Sequence, residues 1–356
     1  MENFIELDIN TSKNYKIKIG RGLLNNISLF LKKYRDNCNI VLITDNIVNS
    51  LYVDKVVENL SKNGFNPHRF IIENGEKSKN LNTVTDILNF LADNNINRND
   101  IILAIGGGVV GDISGFVASI YLRGIDYIQV PTTFLSSIDS SVGGKTGVNL
   151  DKGKNLVGSF NHPLEVICDV DTFKTLDKEI FSEGVAEAIK YGILFDKALF
   201  NRLATSELHQ NSHDLEEIIS TCVNLKAKIV QSDEFDKGNR QLLNLGHTIA
   251  HSIEKNSNFT IHHGIAVAIG TAIITKASEV KSIGQKGIYN KVKNCLLENN
   301  LPIEIEYTTE DIYKYIKYDK KVSGDFINLI VPIDIGYCKL YKLNLNEVYD
   351  FIKVGR

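Results

Sequence analysis

The chain has 356 residues, enough for two domains that each enclose a core. Hydrophobic residues make up 43% of it and its net charge is −3, which excludes a disordered or fibrous protein and argues against nucleic acid or a membrane surface as a partner. We expect no signal peptide and no membrane span, because MENFIELDIN alternates like a strand and no apolar run crosses a bilayer. Five scattered cysteines without CxxC spacing indicate reduced thiols and a cytoplasmic protein.

The first half alternates apolar runs with helical patterns, which predicts a Rossmann-like α/β sheet of parallel strands. Strands are predicted at 39–44, 69–72, 100–105, 127–130 and 165–170, and helices end near 63, 94 and 121. In the second half, long amphipathic runs predict helices at 181–194, 214–232, 240–255, 264–282 and 285–299, with strand signals at 326–331 and 337–343. We therefore expect an α/β domain over 1–176 and a mainly α-helical domain over 177–356.

The helix predicted at 240–255 carries a polar stripe. Its members recur at i, i+4, i+7 and i+11 and are Arg240, Asn244, His247 and His251. At 3.6 residues per turn they share one face, while apolar residues occupy the others. An enclosed helix that points these groups in one direction has a desolvation cost that a binding site explains. With His263, which follows a short loop, the stripe favours a metal or anion site over structural histidines.

A glycine-rich turn follows the strand predicted at 100–105 and opens the next helix. Glycines at 106, 108 and 111 have the spacing GxGxxG, which lets backbone N–H groups approach a pyrophosphate. The acidic residue of a standard dinucleotide fingerprint is absent about 20 residues later, and the turn does not follow the first strand. Asp45, Glu73 or Glu76 would then hold the ribose from another strand end. We interpret the turn as a nucleotide loop rather than as a packing turn alone.

The segment 131–154 is polar and aperiodic, which predicts a long functional loop. Its Lys145 and Lys154, with the adjacent Asn155, would bind phosphate or carboxylate. The alternative is a solvated surface loop with two ordinary lysines.

Glu187 and Lys190 lie at i, i+3 on one face of the helix predicted at 181–194. A surface ion pair is the simpler interpretation, but the flanking apolar residues indicate a half-buried helix. One glutamate with two histidines would leave an open position on Zn²⁺, as catalytic zinc requires. Spacing alone leaves two choices open: His247 with His251, or His247 with His263.

Seven motifs, in the family's order, closely resemble those of 3-dehydroquinate synthases: GGGVVGD, RGIDYIQVPTTFLSSIDSSVGGKTGVN, KNLVGSF, EGVAEAIKYG, RQLLNLGHTIAH, HHGIAVAIG and DKK. The resemblance covers nearly the whole chain. It implies a Rossmann-like N-terminal domain, a helical C-terminal domain and a homodimer. It also implies NAD and Zn²⁺ as cofactors, with Co²⁺ as a possible substitute.

The implied reaction belongs to the shikimate pathway, which leads to chorismate and the aromatic amino acids. It converts 3-deoxy-D-arabino-heptulosonate 7-phosphate, a sugar-acid phosphate, to 3-dehydroquinate and phosphate. The steps are transient oxidation by NAD, phosphate elimination, reduction, ring opening and intramolecular aldol cyclisation. The enzyme class is that of carbon–oxygen lyases.

The resemblance also implies roles for individual residues. The zinc ligands would be Glu187, His247 and His263. The NAD contacts would be Asp45, Glu76, Lys79, Gly107, Gly108, Val109, Gly111, Asp112, Thr132, Thr133, Lys145, Lys154, Thr172 and Thr175. The substrate contacts would be Asp139, Lys145, Lys154, Asn155, Lys190, Lys226, Arg240, Asn244, His251 and one of Lys320 and Lys321, with Arg123 from a neighbouring subunit. Ile265 departs from the commoner pattern, in which an acidic or amide side chain follows HG, and we expect activity to survive because it is not an implied ligand.

Three other functions share parts of this pattern. Polyol or glycerol dehydrogenases have the same architecture and a similar metal site, but they have no need for the cation cluster of Lys145, Lys154, Lys190, Lys226 and Arg240. A related sugar-phosphate cyclase would keep the catalytic set and vary a few pocket residues, so it is harder to exclude. A nucleotide-binding regulatory module would have no use for aligned metal-binding and cationic groups.

Overall fold

The computed structural model describes residues 4–316, 322–323 and 325–356. Contacts within the chain divide it into two compact units, one made of Met1–Leu176 and His213–Phe235 and the other of Asp177–Ser212 and Asp236–Arg356. The main division falls after Leu176, where the sequence pattern predicts it. Residues 213–235, expected in the helical domain, belong instead to the first unit.

Strands and helices are numbered in chain order. The strands are β1 (Phe4–Ile9), β2 (Tyr15–Gly20), β3 (Asn39–Asp45), β4 (Asn66–Ile72), β5 (Ile101–Gly106), β6 (Asp126–Pro131), β7 (Lys145–Leu150), β8 (Gly153–Phe160), β9 (Glu165–Asp169), β10 (Val322–Ser323), β11 (Phe326–Asp334) and β12 (Tyr337–Asn344). The helices are α1 (Ile27–Leu31), α2 (Asn46–Val48), α3 (Asp54–Lys62), α4 (Leu81–Asp93), α5 (Gly108–Ile120), α6 (Lys178–Phe195), α7 (Lys197–Leu203), α8 (Leu215–Ser232), α9 (His247–Asn256), α10 (His263–Val280), α11 (Ile288–Glu298), α12 (Thr309–Ile316) and α13 (Leu345–Gly355).

The first unit is built on a seven-stranded sheet in the order β1-β2-β9-β6-β5-β3-β4. Only the β1–β2 pair is antiparallel, and the other pairs of this sheet are parallel. Apolar side chains of α1 and α3 cover one face, and those of α4 and α5 cover the other. The five strands predicted from the sequence all lie in this sheet, which confirms the expected α/β fold.

The winding of the sheet reverses between β3 and β5. The chain passes from β3 to β4 on one side and then places β5 on the other side of β3. Ligands of open α/β sheets bind outside the carboxyl ends of the strands at such a switch point. Asp45 ends β3 and Gly106 ends β5. The fold therefore brings two of the sequence candidates to the place where this architecture binds ligands.

The prediction of one long loop at 131–154 is wrong in part, because most of this segment is ordered. It forms a helical turn over Ser136–Ser140 and then the antiparallel hairpin β7–β8. Glycines hide the strands from sequence patterns, since they are depleted in strands generally. A Cβ on Gly147 would lie 2.4 Å from the Val157 carbonyl oxygen, and one on Gly158 would lie 2.1 Å from that of Thr146. The close approach of the two strands requires glycine at both positions.

The prediction of one helix over 240–255 is wrong in its first half. Asn239–Asn244 is a 3-10 helix, and α9 begins only at His247. Leu245 is extended and Gly246 is left-handed, with φ +76°. Arg240 and Asn244 therefore do not share a helix face with the two histidines, and the continuous polar stripe does not exist.

Helix α8 belongs to the first unit because it contacts residues of that unit that are distant from it in the sequence. It packs against β1, β2 and the turn at Ser136–Ser140. Arg21 donates to Glu216 at one end, and Ser12 donates to Glu234 just beyond the other end. Sequence periodicity predicts the helix itself but does not indicate which domain it packs against.

The second unit contains α6, α7, α9 to α13 and the strands β10 to β12. Helix α10 is buried over most of its length and packs against α6, α9, α11 and α13. Helices α7, α12 and α13 were not predicted from the sequence. Within the described ranges, no helix is long and apolar enough to cross a membrane. The five cysteines are free thiols.

Candidate active site

Three side chains of the second unit converge, two of them from the first residues of helices. Glu187 lies within α6, while His247 is the first residue of α9 and His263 is the first residue of α10. One ligand atom from each lies within 4.8 Å of the others. Glu187 Oε1 is 3.8 Å from Nε2 of His247 and 3.8 Å from Nε2 of His263. The structure thus brings together the ligand set that the family resemblance implies.

Glycines allow these helices to approach one another. A Cβ on Gly264 would lie 2.3 Å from Glu183 Cα, so α10 is in backbone contact with α6. A Cβ on Gly270 would lie 2.3 Å from the Gly246 carbonyl oxygen, so α10 also touches the turn that precedes α9. The close packing of α10 against α6 and against the turn before α9 therefore holds the three side chains near one another.

The three side chains fit a metal ion. Glu187 is 1% exposed, and within the described part of the chain neither of its carboxylate oxygens accepts a well-formed hydrogen bond, although Lys190 Nζ forms an ion pair with Oε2. A buried carboxylate without such partners is costly, and coordination of a cation would remove that cost. A carboxylate oxygen and two imidazole nitrogens are the donors of catalytic zinc sites that keep one position open.

The outer nitrogens of both histidines are held by acceptors. Nδ1 of His247 donates to the Leu245 carbonyl oxygen at 3.0 Å, and Nδ1 of His263 faces Glu254 Oε1 at 3.5 Å. Burial disfavours the charged form of His263, but the hydrogen bond and charge of Glu254 outweigh it and raise the pKa of His263. With Nδ1 occupied, each ring directs Nε2 towards Glu187, as metal-binding histidines do.

Glu183, one turn before Glu187 on α6, bonds to the start of α10 beside the three side chains. Its carboxylate accepts from His262 Nδ1 at 3.0 Å and from the Gly264 backbone N–H at 3.3 Å. It thereby ties the first turn of α10 to α6. Neither Glu183 nor Glu254 was predicted from the sequence, although Glu254 lies at i+7 from His247 on the same helix.

His251 lies beside the triad rather than within it. Its ring centroid is 5.7 Å from that of His247 and 6.4 Å from that of His263. Arg240 is buried, and Asn244 donates to the Gln241 carbonyl oxygen at 3.2 Å. Lys320 and Lys321, of which one is an implied substrate contact, lie outside the described residues.

Features that fit a nucleotide lie at the switch point of the first unit. Gly107 precedes α5 and offers no side-chain cap, so the N–H groups of the first turn face outward from the helix end. Thr132 Oγ1 and Ser140 Oγ are buried and have no hydrogen-bond partner among the described residues. A Cβ added to Gly108 would lie 3.1 Å from Ser140 Oγ, so this hydroxyl is next to that helix end. The hydroxyls of Thr132 and Ser140 can therefore donate to phosphate oxygens. Ser140 was not among the residues named from the sequence.

The other implied NAD contacts have local partners. Asp45 Oδ1 accepts from the N–H groups of Ile47 and Val48, each at 2.9 Å, and so caps α2. The remaining hydroxyls each bond within their own turns: Thr133 bonds Ser136, Thr172 donates to the Asp169 carbonyl oxygen, and Thr175 donates to that of Thr172. Thr175 Oγ1 also contacts the Tyr52 hydroxyl. Val109 lies in the first turn of α5. A Cβ on Gly111 would lie 2.0 Å from Gln129 Nε2, so this glycine packs α5 against β6.

A polar network joins Glu76, Lys79, Asp112 and Asn155 in this unit. Lys79 Nζ contacts Asp112 Oδ2 at 2.5 Å and Asn155 Oδ1 at 2.6 Å. Asn149, which was not predicted from the sequence, donates to Glu76 Oε1 at 2.7 Å and accepts from the Asn155 N–H at 2.8 Å. Burial raises the pKa of Asp112, although the charge of Lys79 opposes this.

Five further candidates lie on the first unit. Lys226 Nζ is 2.9 Å from Asp139 Oδ1 and 2.5 Å from the carbonyl oxygen of the same residue. Lys145 begins β7 and is exposed, and Lys154 is near the start of β8. Arg123 is exposed, with φ +67°, beside Leu122 at φ +51°. Arg98 donates to the Leu122 carbonyl oxygen at 2.6 Å and so steadies this strained turn.

Comparison with known proteins gives matches along almost the entire chain. Residues 69–183 match the family model described as 3-dehydroquinate synthase N-terminal, and residues 184–322 match the one described as 3-dehydroquinate synthase C-terminal. The 3-dehydroquinate synthase of Clostridium kluyveri is 45% identical over 97% of this chain and 98% of its own length.

Solved structures with this fold include two synthases. A structure of 2-deoxy-scyllo-inosose synthase complexed with carbaglucose-6-phosphate, NAD+ and Co²⁺ has a TM-score of 0.88 and 24% identity, and it covers 99% of this chain and 100% of its own. The 2-epi-5-epi-valiolone synthase of Streptomyces hygroscopicus, with NAD+ and Zn²⁺ bound, has a TM-score of 0.88 and 23% identity over 98% of each chain. At these identities the likeness shows a shared fold.

Proposed function

Because the chain belongs to the 3-dehydroquinate synthase family, we propose that it converts 3-deoxy-D-arabino-heptulosonate 7-phosphate to 3-dehydroquinate and phosphate. The observation that carries the proposal is the convergence of Glu187, His247 and His263 in a chain that matches this family along nearly its full length. The proposed enzyme is a phosphate-eliminating lyase of aromatic amino acid biosynthesis, and its cytoplasmic location stays a prediction.

In this proposal Glu187, His247 and His263 hold Zn²⁺, or Co²⁺ in its place. An ion held by these three residues would supply a Lewis acid for the substrate hydroxyl that is oxidised. Lys190, 1% exposed and paired with Glu187, places a cation beside this carboxylate. His251 lies next to both ligand imidazoles, which suits proton transfer with substrate oxygens.

The nucleotide in the proposal is NAD, held at the switch point of the sheet. The two synthases that share this fold contain NAD+ in their structures, which supports the choice. NAD+ held there would supply a hydride acceptor that is regenerated within each turnover. The N–H groups around Gly107 and Gly108 and the hydroxyls of Thr132 and Ser140 would meet its phosphates, and Asp45 would meet a ribose hydroxyl.

The substrate carries a carboxylate and a phosphate, so the site needs positive charge. The proposed counter-charges are Lys145, Lys154, Lys190, Lys226, Arg240 and Arg123, assisted by Asp139, Asn155, Asn244 and His251. We place Arg123 in the site of a neighbouring subunit within a homodimer. Its exposure on a turn of left-handed residues supports this, since an exposed side chain is accessible to a second subunit.

The experiment that tests the function is product identification. Purified protein, NAD+, Zn²⁺ and the heptulosonate phosphate are incubated, and the product is identified by NMR against authentic 3-dehydroquinate. A different carbocycle, or activity only with another sugar phosphate, would reassign the chain to a related cyclase.

The same assay separates a cyclase from a polyol dehydrogenase. We expect phosphate release to continue through many turnovers without net NADH, because the hydride returns to the substrate within each cycle. NADH that accumulates in proportion to product would instead indicate net oxidation, and the cyclase proposal would fail. Heat-inactivated protein with the same additions controls for spontaneous phosphate loss.

A further inference from the structure

The carboxylate of Glu254 lies behind one of the proposed metal ligands. Glu254 is 3% exposed, and its Oε1 is 3.5 Å from Nδ1 of His263. The opposite nitrogen of the same ring, Nε2, is 3.8 Å from Glu187 Oε1. The His263 imidazole therefore lies between a carboxylate of α9 and a carboxylate of α6.

His247 is held differently. Its Nδ1 donates to the backbone carbonyl oxygen of Leu245, which is neutral. An ionised acceptor polarises an N–H group more strongly than a neutral acceptor does, and the opposite nitrogen becomes a stronger electron donor. The two imidazoles of the triad are thus oriented by acceptors of different charge.

A carboxylate beside Nδ1 of an imidazole favours a proton on that nitrogen and leaves the lone pair on Nε2. A divalent cation bound at Nε2 would strengthen this arrangement, because negative and positive charges then alternate along the line from Glu254 through the ring to the ion.

We infer that Glu254 is a positioning residue of the metal centre, which holds the proton of His263 on Nδ1 and directs the Nε2 lone pair to the ion. The inference rests on the proposed function only in that it takes His263 as a metal ligand. Glu254 itself is not one of the three residues whose ligand atoms converge. Its effect is transmitted through the ring of His263.

The test is the zinc affinity of Glu254→Gln, measured on the full chain by competition with a chromophoric chelator. We expect the Kd for Zn²⁺ to rise about 10- to 100-fold, because the amide can still accept the hydrogen bond but lacks the charge. Glu254→Asp keeps the charge and should recover part of the affinity. If Glu254→Gln does not fold, the zinc affinity of Glu254→Asp tests the inference in its place.

A matched control separates this effect from a loss of stability. Glu279 is another glutamate of the same unit, whose carboxylate accepts from the N–H groups of Gly287 and Tyr289 and caps α11. Glu279→Gln should leave zinc affinity unchanged. Chemical unfolding of each metal-free variant measures the structural cost separately.

The visible spectrum of the Co²⁺-loaded protein gives a second readout. It should differ between wild type and Glu254→Gln, since ligand donor strength changes, and be the same in Glu279→Gln. Wild-type zinc affinity and Co²⁺ spectrum in Glu254→Gln would overturn the inference, as would equal losses in both glutamine variants. A wild-type protein that binds zinc but forms no 3-dehydroquinate would contradict the proposed function and leave the role of Glu254 standing.

Discussion

At the scale of single residues, the two histidines of α9 have neighbouring positions but different surroundings. Nε2 of His247 faces Glu187 Oε1 at 3.8 Å, and its Nδ1 is held by a backbone carbonyl. His251 lies one turn later and approaches the ligand rings edge-on or stacked, outside the group of converging ligand atoms. The i, i+4 spacing of His247 and His251 makes both candidate metal ligands. Their surroundings predict that His247 binds the metal and that His251 does not.

Substitution of these histidines should therefore have two different outcomes. His263→Ala and His247→Ala should lose most bound zinc, because each removes a direct ligand. His251→Ala should retain zinc and lose catalytic rate by about 100-fold or more, as expected for a group that transfers protons. Metal content after dialysis and steady-state rates distinguish the classes. Zinc loss in His251→Ala with retention in His263→Ala would show that the ligand assignment is wrong.

At the scale of elements, the start of α9 depends on a single glycine. Gly246 has φ +76°, and a Cβ there would lie 2.6 Å from Thr271 Oγ1 and 2.9 Å from the Thr271 backbone nitrogen. The turn thus combines a left-handed conformation with direct packing against α10. Because His247 follows immediately, the geometry of this turn decides where that imidazole lies.

Gly246→Ala should therefore reduce both stability and zinc binding. The left-handed conformation costs about 1–2 kcal/mol for alanine and the crowding about 1–3 kcal/mol more. Urea unfolding of the metal-free protein measures the first effect, and chelator competition measures the second.

Gly287→Ala is the matched control for this prediction. Gly287 is also left-handed, with φ +87°, but a Cβ there meets nothing within 4 Å. It should show only the conformational part of the destabilisation and normal zinc affinity. Equal behaviour of the two variants would argue that packing of Gly246 against α10 does not position His247.

At the scale of the whole molecule, the proposed homodimer shares its sites. Arg123→Ala and Glu187→Ala are each expected to be inactive alone. In a mixed dimer one site would receive both intact residues, so random subunit exchange should restore roughly a quarter of wild-type activity. The measurement is activity after exchange, with exchange verified by mass-tagged subunits.

A site built within one chain would give no recovery in that mixture. Two inactive variants altered in the same residue, such as Glu187→Ala mixed with Glu187→Gln, serve as a control that exchange alone restores nothing. Absence of recovery with exchange confirmed would place Arg123 in its own chain's site or outside the chemistry.

The sequence by itself determined the central parallel strands, most of the long helices and the family. The five central strands and the long helices follow from apolar periodicity, which is a local property of each segment. The motifs around the glycine turn, Glu187 and the histidines identify the family because each motif is short and contiguous.

Only the tertiary structure decided the features that depend on contacts between distant residues. The break at Gly246 is required by the approach of α10, and the β7–β8 hairpin is concealed by the glycines that let its strands meet. The amphipathic pattern of helix α8 is like that of the helices in the second domain. Its Lys226 and Glu216 nevertheless bind residues of the first unit. The pairing of Glu254 with His263 likewise joins the side chains of two helices. Local patterns report which face of a segment is buried, whereas long-range packing decides what that face meets.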